Sequence, residues 1–206
     1  MSKLLNPNQA YTFSKYFEMG ISPQDLAKEF GYTFSRKRLN LPQYQENLDR
    51  LKELQERLDE ILPYFDLANE TSRREVLVSP IILDLVHYTK SEVRIEYQIK
   101  VNEQLQGYLD YLIKNRNNLL VIEAKKEDLD YGMTQLFAEL IALDKWQENP
   151  QQNQLIGAVT TGKIWVFAQL DRINKHLDQG LDSYRVPDDL DPLMRILVQS
   201  LVGSLV

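Results

Sequence analysis

Apolar and polar residues alternate strictly in residues 92–101, EVRIEYQIKV, which predicts a strand with one face toward water. Residues 107–126 come soon after and read GYLDYLIKNRNNLLVIEAKK. They predict two apolar strands joined by a polar turn at 114–118. The pair Asn117–Asn118 supports that turn, because asparagine tolerates the positive φ of a tight hairpin.

The N-terminal part of the chain shows helical patterns. Ser22–Pro23 is typical of a helix start, and Gly31 is expected to end that helix. After Pro42, residues 43–62 predict an amphipathic helix of about five turns. This helix either packs on its own domain or pairs with a second copy in a homodimer. Its apolar stripe is Tyr44, Leu48, Leu51, Leu58 and Leu62, widened by Leu54 and Ile61.

Three further helices are expected. Asn69 or Thr71 can cap a helix that Pro80 kinks or splits. Residues 126–147, KEDLDYGMTQLFAELIALDKWQ, predict a helix with a broad apolar face. The tail from Asp188 onward predicts an amphipathic helix too short to cross a bilayer.

A second hairpin is predicted in residues 154–170, QLIGAVTTGKIWVFAQL, with its turn at Thr161–Gly162. The resulting order is helix, three antiparallel strands, helix and two strands, which predicts an α/β sandwich with a mixed central sheet flanked by helices. We therefore expect a helical N-terminal region at 1–65 and an α/β domain at 66–206.

The first hairpin carries charged residues within apolar arms. A turn centred between Arg116 and Asn117 places Asp110 directly across from Glu123, and Lys125 shares the face of Glu123. At roughly 4 Å and an effective dielectric constant of about 20, two such carboxylates repel by about 4 kcal/mol. Protonation of one acid, the nearby lysine or a bound divalent cation relieves that repulsion.

Carboxylate oxygens are hard ligands that suit Mg²⁺, or Mn²⁺ as its substitute. The alternative is an exposed strand end that carries acids and a lysine with no shared purpose. Hairpin chemistry alone leaves both interpretations open.

Composition narrows the function classes. The chain has 206 residues, no cysteine, two histidines and a formal net charge of −6. The absence of cysteine excludes disulfides and thiolate sites. Two histidines give little support for a histidine metal cluster or a Ser-His-Asp triad. The N-terminus lacks a signal-peptide pattern and no run approaches about 18 apolar residues, so we expect a cytoplasmic protein without a membrane partner. The negative charge argues against a general nucleic-acid coat but leaves a nuclease possible.

A basic run follows the first short helices. The segment SRKRL superficially resembles part of a helix-turn-helix, with Arg36, Lys37 and Arg38 as candidate phosphate contacts. The alternative is a plain packing helix with a basic flank.

Five segments in order resemble the PD-(D/E)XK nuclease superfamily, and most closely the N-terminal nuclease domain of type I restriction enzyme R subunits. They are NETSRREVLVSPIILDLVHY, GYLDYLI, LLVIEAKK, MTQLFAEL and AVTTGKIWVFAQL, and they cover roughly residues 69–170. The proline that precedes the strand aspartate in the superfamily is replaced here by Leu109. The resemblance implies a restriction-endonuclease-like fold.

The resemblance also implies residue roles. Asp110 and Glu123 are expected to bind catalytic Mg²⁺, with the Ala124 carbonyl as a possible further ligand. Lys125 is expected to orient or activate the attacking water. Two further residues complete the set: Glu70 as the helix acid of the metal shell, for which Glu75 is a second candidate, and Gln135, expected to position Lys125 or the DNA backbone.

The leading function hypothesis is thus a Mg²⁺-dependent DNA endonuclease. The alternative is a catalytically silent nuclease-fold protein that binds nucleic acid or another subunit, with helix 43–62 as its docking surface. A glycosidase-like acid/base pair is a weaker third reading, because Lys125 beside Glu123 lowers a carboxyl pKa rather than raising it.

Overall fold

The structure is a computed structural model, and it describes residues 5–6, 9–116, 118–125, 129–146 and 152–203. Its strands are β1 (Thr33–Lys37), β2 (Glu92–Asn102), β3 (Leu105–Asn115), β4 (Asn118–Ala124), β5 (Gln154–Thr160), β6 (Ile164–Asp171) and β7 (His176–Arg185). Its α-helices are α1 (Phe13–Glu18), α2 (Pro23–Glu29), α3 (Leu51–Ile61), α4 (Glu70–Arg73), α5 (Ser79–Thr89), α6 (Leu129–Lys145) and α7 (Leu190–Val202).

The strands form a seven-stranded mixed sheet in the order β1-β7-β6-β5-β4-β3-β2. Strands β2, β3 and β4 are an antiparallel meander, and β4 pairs in parallel with β5. Parallel neighbours need a crossover, which α6 provides. Strands β5, β6 and β7 are again antiparallel, and β1 runs parallel to β7. The predicted fold class is confirmed: this is an α/β sheet flanked by helices, consistent with a restriction-endonuclease-like fold.

Helices cover both faces of the sheet. One core joins α1, α2 and α6 to the sheet, and the other joins α3, α5 and α7 to it. Strand β4 contributes to both cores: Leu119 and Val121 belong to the first, Leu120 and Ile122 to the second. Because side chains alternate along a strand, the next residue, Glu123, faces the α6 side.

The predicted hairpins and their helices are confirmed, with two limits. The first hairpin joins β3 to β4, and Arg116 has the positive φ of its turn, 48°. Asn117 lies outside the described residues, as do 126–128 at the start of the predicted helix that contains α6. The second hairpin turns at Thr161–Gly162 as predicted, and α7 is the predicted tail helix.

Asn69 caps the helical segment before β2, as predicted, with its side chain accepting a hydrogen bond from the Ser72 amide at 2.8 Å. The segment is split as expected: residues Arg74–Val78 form a π-helical stretch between α4 and α5. Pro80 follows in the first turn of α5. The wider turn accommodates a residue that has no amide hydrogen to donate.

The helix predicted at 43–62 is shorter than expected, because α3 begins only at Leu51. Arg195 donates to the carbonyl oxygens of Tyr44 and Glu46 at 2.7 and 3.1 Å. In a helix, these carbonyl oxygens would instead accept hydrogen bonds from backbone amides one turn later. Leu54 and Leu58 are fully buried in the core shared with α5 and α7. The described contacts therefore match intramolecular packing, and the homodimer through this helix stays an unsupported prediction.

The expectation that residues 1–65 form a helical region is wrong in part. Strand β1 occupies part of this region and pairs in parallel with β7, a strand that local patterns did not predict. Arg36 and Lys37 therefore lie on a strand, with Arg38 directly after it, and the helix-turn-helix interpretation fails. Ser35 Oγ donates to Asp178 Oδ1 at 2.6 Å, one of the contacts that join the two strands. The division at residue 65 into two domains stays a prediction.

Among the described helices, none combines the length and the apolar character that crossing a membrane requires.

Candidate active site

The register of the β3–β4 hairpin is the one predicted from its turn. Tyr111 pairs with Ile122 and Asn115 with Asn118. One step further along this ladder brings Asp110 beside Glu123. The Ala124 amide donates to Asp110 Oδ2 at 2.8 Å, which fixes the aspartate against the end of β4.

Gly107 lies three residues before Asp110, and its backbone explains why glycine stands there. Its φ is +146°, and an added Cβ would lie 2.9 Å from Phe13 Cδ2 and 3.1 Å from the Phe13 amide nitrogen. Glycine adopts this φ without strain and leaves room for α1 to pack directly on β3. The glycine of the Gly-x-x-Asp segment thus allows both the backbone conformation of β3 and the close packing of α1.

Glu123 is the most enclosed acid of the hairpin, with 1% of its surface exposed. Its Oε1 accepts from Lys125 Nζ at 2.5 Å and from Gln135 Nε2 at 2.6 Å. Its Oε2 is buried and has no hydrogen-bond partner among the described residues. Burial, then the charge of Asp110, raises the pKa of Glu123 to about 7 against the pull of Lys125.

Lys125 combines a short ion pair with an aromatic contact. Its ammonium lies against Glu123 and 5.1 Å from the centre of the Phe17 ring. Burial lowers its pKa, but Glu123, Glu139 and Asp110 outweigh burial and raise the pKa above the ordinary lysine value. In this structure the side chain is therefore a cation at neutral pH.

Gly132 on α6 allows Lys125 its position. A Cβ at this residue would lie 2.8 Å from Val159 Cγ1 and 3.0 Å from Lys125 Cγ. Any larger residue forces the lysine stem or the strand beneath it to move. The absence of a side chain at Gly132 thus leaves room for the stem of Lys125.

Gln135 contacts the site as expected, but its partner there is Glu123 rather than Lys125. Its Nε2 donates to Glu123 Oε1 and lies 3.0 Å from Glu139 Oε1, one helical turn later. Glu139 is fully buried, and burial followed by the charge of Glu123 raises its pKa well above the ordinary value. Sequence reasoning missed Glu139, although its spacing from Gln135 within an apolar helix face was a usable signal.

Arg74 is a second residue that sequence reasoning did not assign. Its Nη1 donates to Glu96 Oε1 at 2.9 Å and lies 3.8 Å from Asp110 Oδ1, and its guanidinium stacks 5.2 Å from the Tyr111 ring centre. Burial raises the pKa of Asp110, while the Ala124 amide, Arg74 and Lys125 oppose that rise. The segment that was predicted to supply an acid thus supplies a cation.

Among the described residues, neither of the two helix acids makes a hydrogen bond or ion pair with this cluster. Glu70 is half-buried at the first position of α4, and among the described residues no hydrogen bond or ion pair joins it to Asp110 or Glu123. Glu75 is exposed. The role of Glu70 as a metal ligand therefore stays a prediction, and Glu75 has no contact that favours it.

The donor set fits a hard divalent cation in kind. Asp110 and Glu123 are adjacent carboxylates, and the unpartnered Oε2 of Glu123 is a buried oxygen that gains from a ligand. No group of three or more His, Cys, Asp or Glu side chains arranged to hold a metal is found in the part of the chain that the structure describes. Two carboxylates therefore need backbone oxygen or water to complete a coordination shell.

Comparisons with known proteins add little beyond the fold. No family model matches the chain, and no curated protein matches it significantly. A cryo-EM structure of a DrdV–DNA complex is similar at 15% identity with a TM-score of 0.47, over 75% of this chain and 14% of that chain. The match spans only a small part of that larger chain.

Proposed function

We propose that the protein is a Mg²⁺-dependent nuclease that hydrolyses phosphodiester bonds in DNA. The observation that carries the proposal is the cluster at the end of the β3–β4 hairpin, where Asp110 and Glu123 lie beside the ammonium of Lys125. Five segments in the order of the PD-(D/E)XK superfamily support it, and the choice of DNA as substrate rests on that resemblance.

The metal-binding residues in this proposal are Asp110 and Glu123, joined by the Ala124 carbonyl and by Glu70 from α4. Bound Mg²⁺ supplies positive charge where negative charge develops on the phosphate and lowers the pKa of a water ligand. The unpartnered Glu123 Oε2 favours this assignment, since Oε1 is already used by Lys125 and Gln135.

Lys125 acts in this proposal as a hydrogen-bond donor and a cation. Its ammonium contacts Glu123 Oε1, and its remaining N–H groups orient the attacking water and stabilise the developing phosphate charge. Gln135 holds Glu123 in place by donating to the same oxygen that Lys125 contacts. Arg74 lies 3.8 Å from Asp110 on the other side, where its charge opposes the rise that burial causes in the pKa of Asp110.

One observation favours the alternative, a catalytically silent nuclease-fold protein that binds nucleic acid or another subunit. The ion pair between Glu123 and Lys125 is 2.5 Å long, and the pKa of Glu123 is raised to about 7. At neutral pH, metal binding must therefore compete with both the lysine and a proton. A protein that never binds metal has no need to open this pair.

Cleavage of supercoiled plasmid and of single-stranded DNA in Mg²⁺ or Mn²⁺ tests the proposal, after a calorimetric titration with Mn²⁺. Asp110→Ala and Lys125→Ala are expected to abolish cleavage. Lys175→Ala is the matched control, because it opens a similar pair, Lys175 Nζ to Asp144 Oδ2 at 2.6 Å, outside the site. Cleavage that survives both site substitutions rules out this site, and metal-dependent DNA binding without cleavage supports the alternative.

A further inference from the structure

Helix α1, which lies outside the resemblance, packs beside the proposed site. Phe13 and Tyr16 are fully buried and fix the helix in the core under α6. Tyr16 Oη donates to the Gln104 carbonyl at 2.5 Å, just before β3 begins. Because Gly107 also brings Phe13 against β3, the position of α1 relative to Asp110 is set by several contacts.

Phe17 is the residue of α1 that reaches Lys125. Its ring centre lies 5.1 Å from Lys125 Nζ, within the distance at which a cation is attracted to an aromatic face. The ring is itself held edge-to-face by Tyr131 of α6, at 6.2 Å and 80°. The ammonium of Lys125 therefore contacts both the carboxylate of Glu123 and the aromatic ring of Phe17.

We propose that Phe17 is a positioning residue for Lys125, holding its ammonium by a cation–π contact at the candidate site. This inference rests on the proposed nuclease function. An ammonium has three N–H donors, and Glu123 Oε1 accepts one of them. An aromatic face attracts the cation without acting as a strong hydrogen-bond acceptor, so the remaining donors stay available for water and phosphate.

An aliphatic residue at position 17 fills similar space but lacks the ring quadrupole. A carboxylate there would bind the ammonium strongly and take a donor from the substrate. Phenylalanine thus restrains Lys125 and leaves its remaining N–H groups available to donate hydrogen bonds to water and phosphate. The N-terminal region consequently contributes to the site, although the five motif segments all lie after it.

The test compares Phe17→Tyr with Phe17→Leu in the full chain. Phe17→Tyr keeps the aromatic face and is expected to retain kcat. Phe17→Leu is expected to lower kcat by roughly 3- to 30-fold, the range that cation–π contacts represent between exposed and desolvated sites, with KM little changed. The labelling rate of Lys125 by an amine-reactive reagent, followed by mass spectrometry, is expected to rise in Phe17→Leu alone.

Phe30→Leu is the matched control. It removes another lysine–phenylalanine contact, Lys145 Nζ at 5.3 Å from the Phe30 ring centre, away from the site. It is expected to leave kcat and Lys125 labelling unchanged. If Phe17→Leu fails to fold, phenylalanine analogues with one, two or three ring fluorines at position 17 weaken the quadrupole while nearly keeping the ring shape.

A stepwise fall in kcat and rise in labelling along the fluorinated series supports the inference. Wild-type kcat and labelling in a folded Phe17→Leu protein, or in that whole series, overturn it. A wild-type chain that neither binds Mn²⁺ nor cleaves DNA contradicts the nuclease proposal instead. In that case the labelling experiment still decides whether Phe17 restrains Lys125.

Discussion

Glu123 and Glu139 are held against the same amide nitrogen: Gln135 Nε2 lies 2.6 Å from Glu123 Oε1 and 3.0 Å from Glu139 Oε1. Both acids are buried, and each has a second oxygen without a hydrogen-bond partner among the described residues. Lys125 compensates the charge of Glu123, while Glu139 makes no ion pair among those residues. Two ionised acids here are therefore costly.

The first prediction concerns Glu139→Gln, which replaces the inner acid by a neutral side chain of the same shape. The pKa of each acid is higher in the folded state than in the unfolded state. The stability that these acids contribute is therefore fully present when both are protonated, below the pKa of the unfolded state. For Glu123 it is lost as pH rises through about 7. We expect Glu139→Gln to match the wild type near pH 5 and to exceed it above pH 8 by about 1–3 kcal/mol.

Urea unfolding at several pH values between these limits measures the difference. Glu18→Gln is the control, because Glu18 is exposed and contacts only Lys15 in the described ion pairs. A Glu139→Gln protein whose stability falls with pH as steeply as that of the wild type would show that ionisation of Glu139 does not destabilise the fold.

Local signals were sufficient to predict the hairpin that carries the site. The residues around its turn fixed the register, and strand alternation put Glu123 and Lys125 on one face, so Asp110 was placed correctly. The helix carrying Gln135 was predictable from its apolar face. In each of these cases, residues close in sequence decide the structure.

Long-range pairing was not predictable in the same way. Strands β1 and β7 pair across more than half of the chain, and their polar sequences show no strong alternation. Arg195, far along the chain, binds the backbone at the start of the predicted 43–62 helix, where the structure is not helical. The full burial of Glu139 depends on the packing of α6 against the sheet, which its spacing from Gln135 indicates only in part.

The second prediction is that Mn²⁺ affinity depends steeply on pH. Metal binding requires deprotonated carboxylates, and the pKa of Glu123 is raised to about 7. We expect the apparent Kd to rise by up to about tenfold per pH unit below pH 7 and to level off above it. Calorimetry in buffers of different ionisation enthalpy measures the proton released on binding.

Asp110→Asn serves as the control for that titration, since it removes one ligand and is expected to abolish binding at every pH. A wild-type Kd that is flat between pH 6 and pH 8 would mean that Glu123 does not have to lose a proton to the metal.

The third prediction uses two glycines that make similarly close contacts at different places. In Gly132→Ala the new Cβ meets Val159 at 2.8 Å and Lys125 Cγ at 3.0 Å. In Gly157→Ala it meets Leu136 Cδ1 at 2.7 Å in the core. Both are expected to destabilise the fold by about 1–3 kcal/mol.

Only Gly132→Ala is expected to change the site, by displacing Lys125. Thermal melting compares the two stabilities, and the rate of DNA cleavage at a temperature where both variants are folded separates them. Equal loss of cleavage in both variants would attribute the effect to general destabilisation.

The fourth prediction separates the chemistry of Lys125 from metal binding. Lys125→Met keeps the length of the side chain but removes the ammonium that contacts Glu123 Oε1. The pKa of Glu123 then rises further, but the cation that competes with the metal for Glu123 is also gone. Above the pH at which Glu123 ionises, Mn²⁺ binding is therefore expected to be at least as tight as in the wild type. Cleavage is expected to fall on the order of 100-fold or more at every pH, because the charge that stabilises the phosphate is gone.

Single-turnover cleavage at saturating Mn²⁺, measured at pH 7 and at pH 9, distinguishes the two effects of Lys125→Met. Lys175→Met provides the control, since it removes the ammonium from the Asp144 pair without touching the site. Recovery of wild-type cleavage at pH 9 would show that Lys125 only lowers the pKa of Glu123. A deficit that persists at saturating metal assigns Lys125 to the reaction itself.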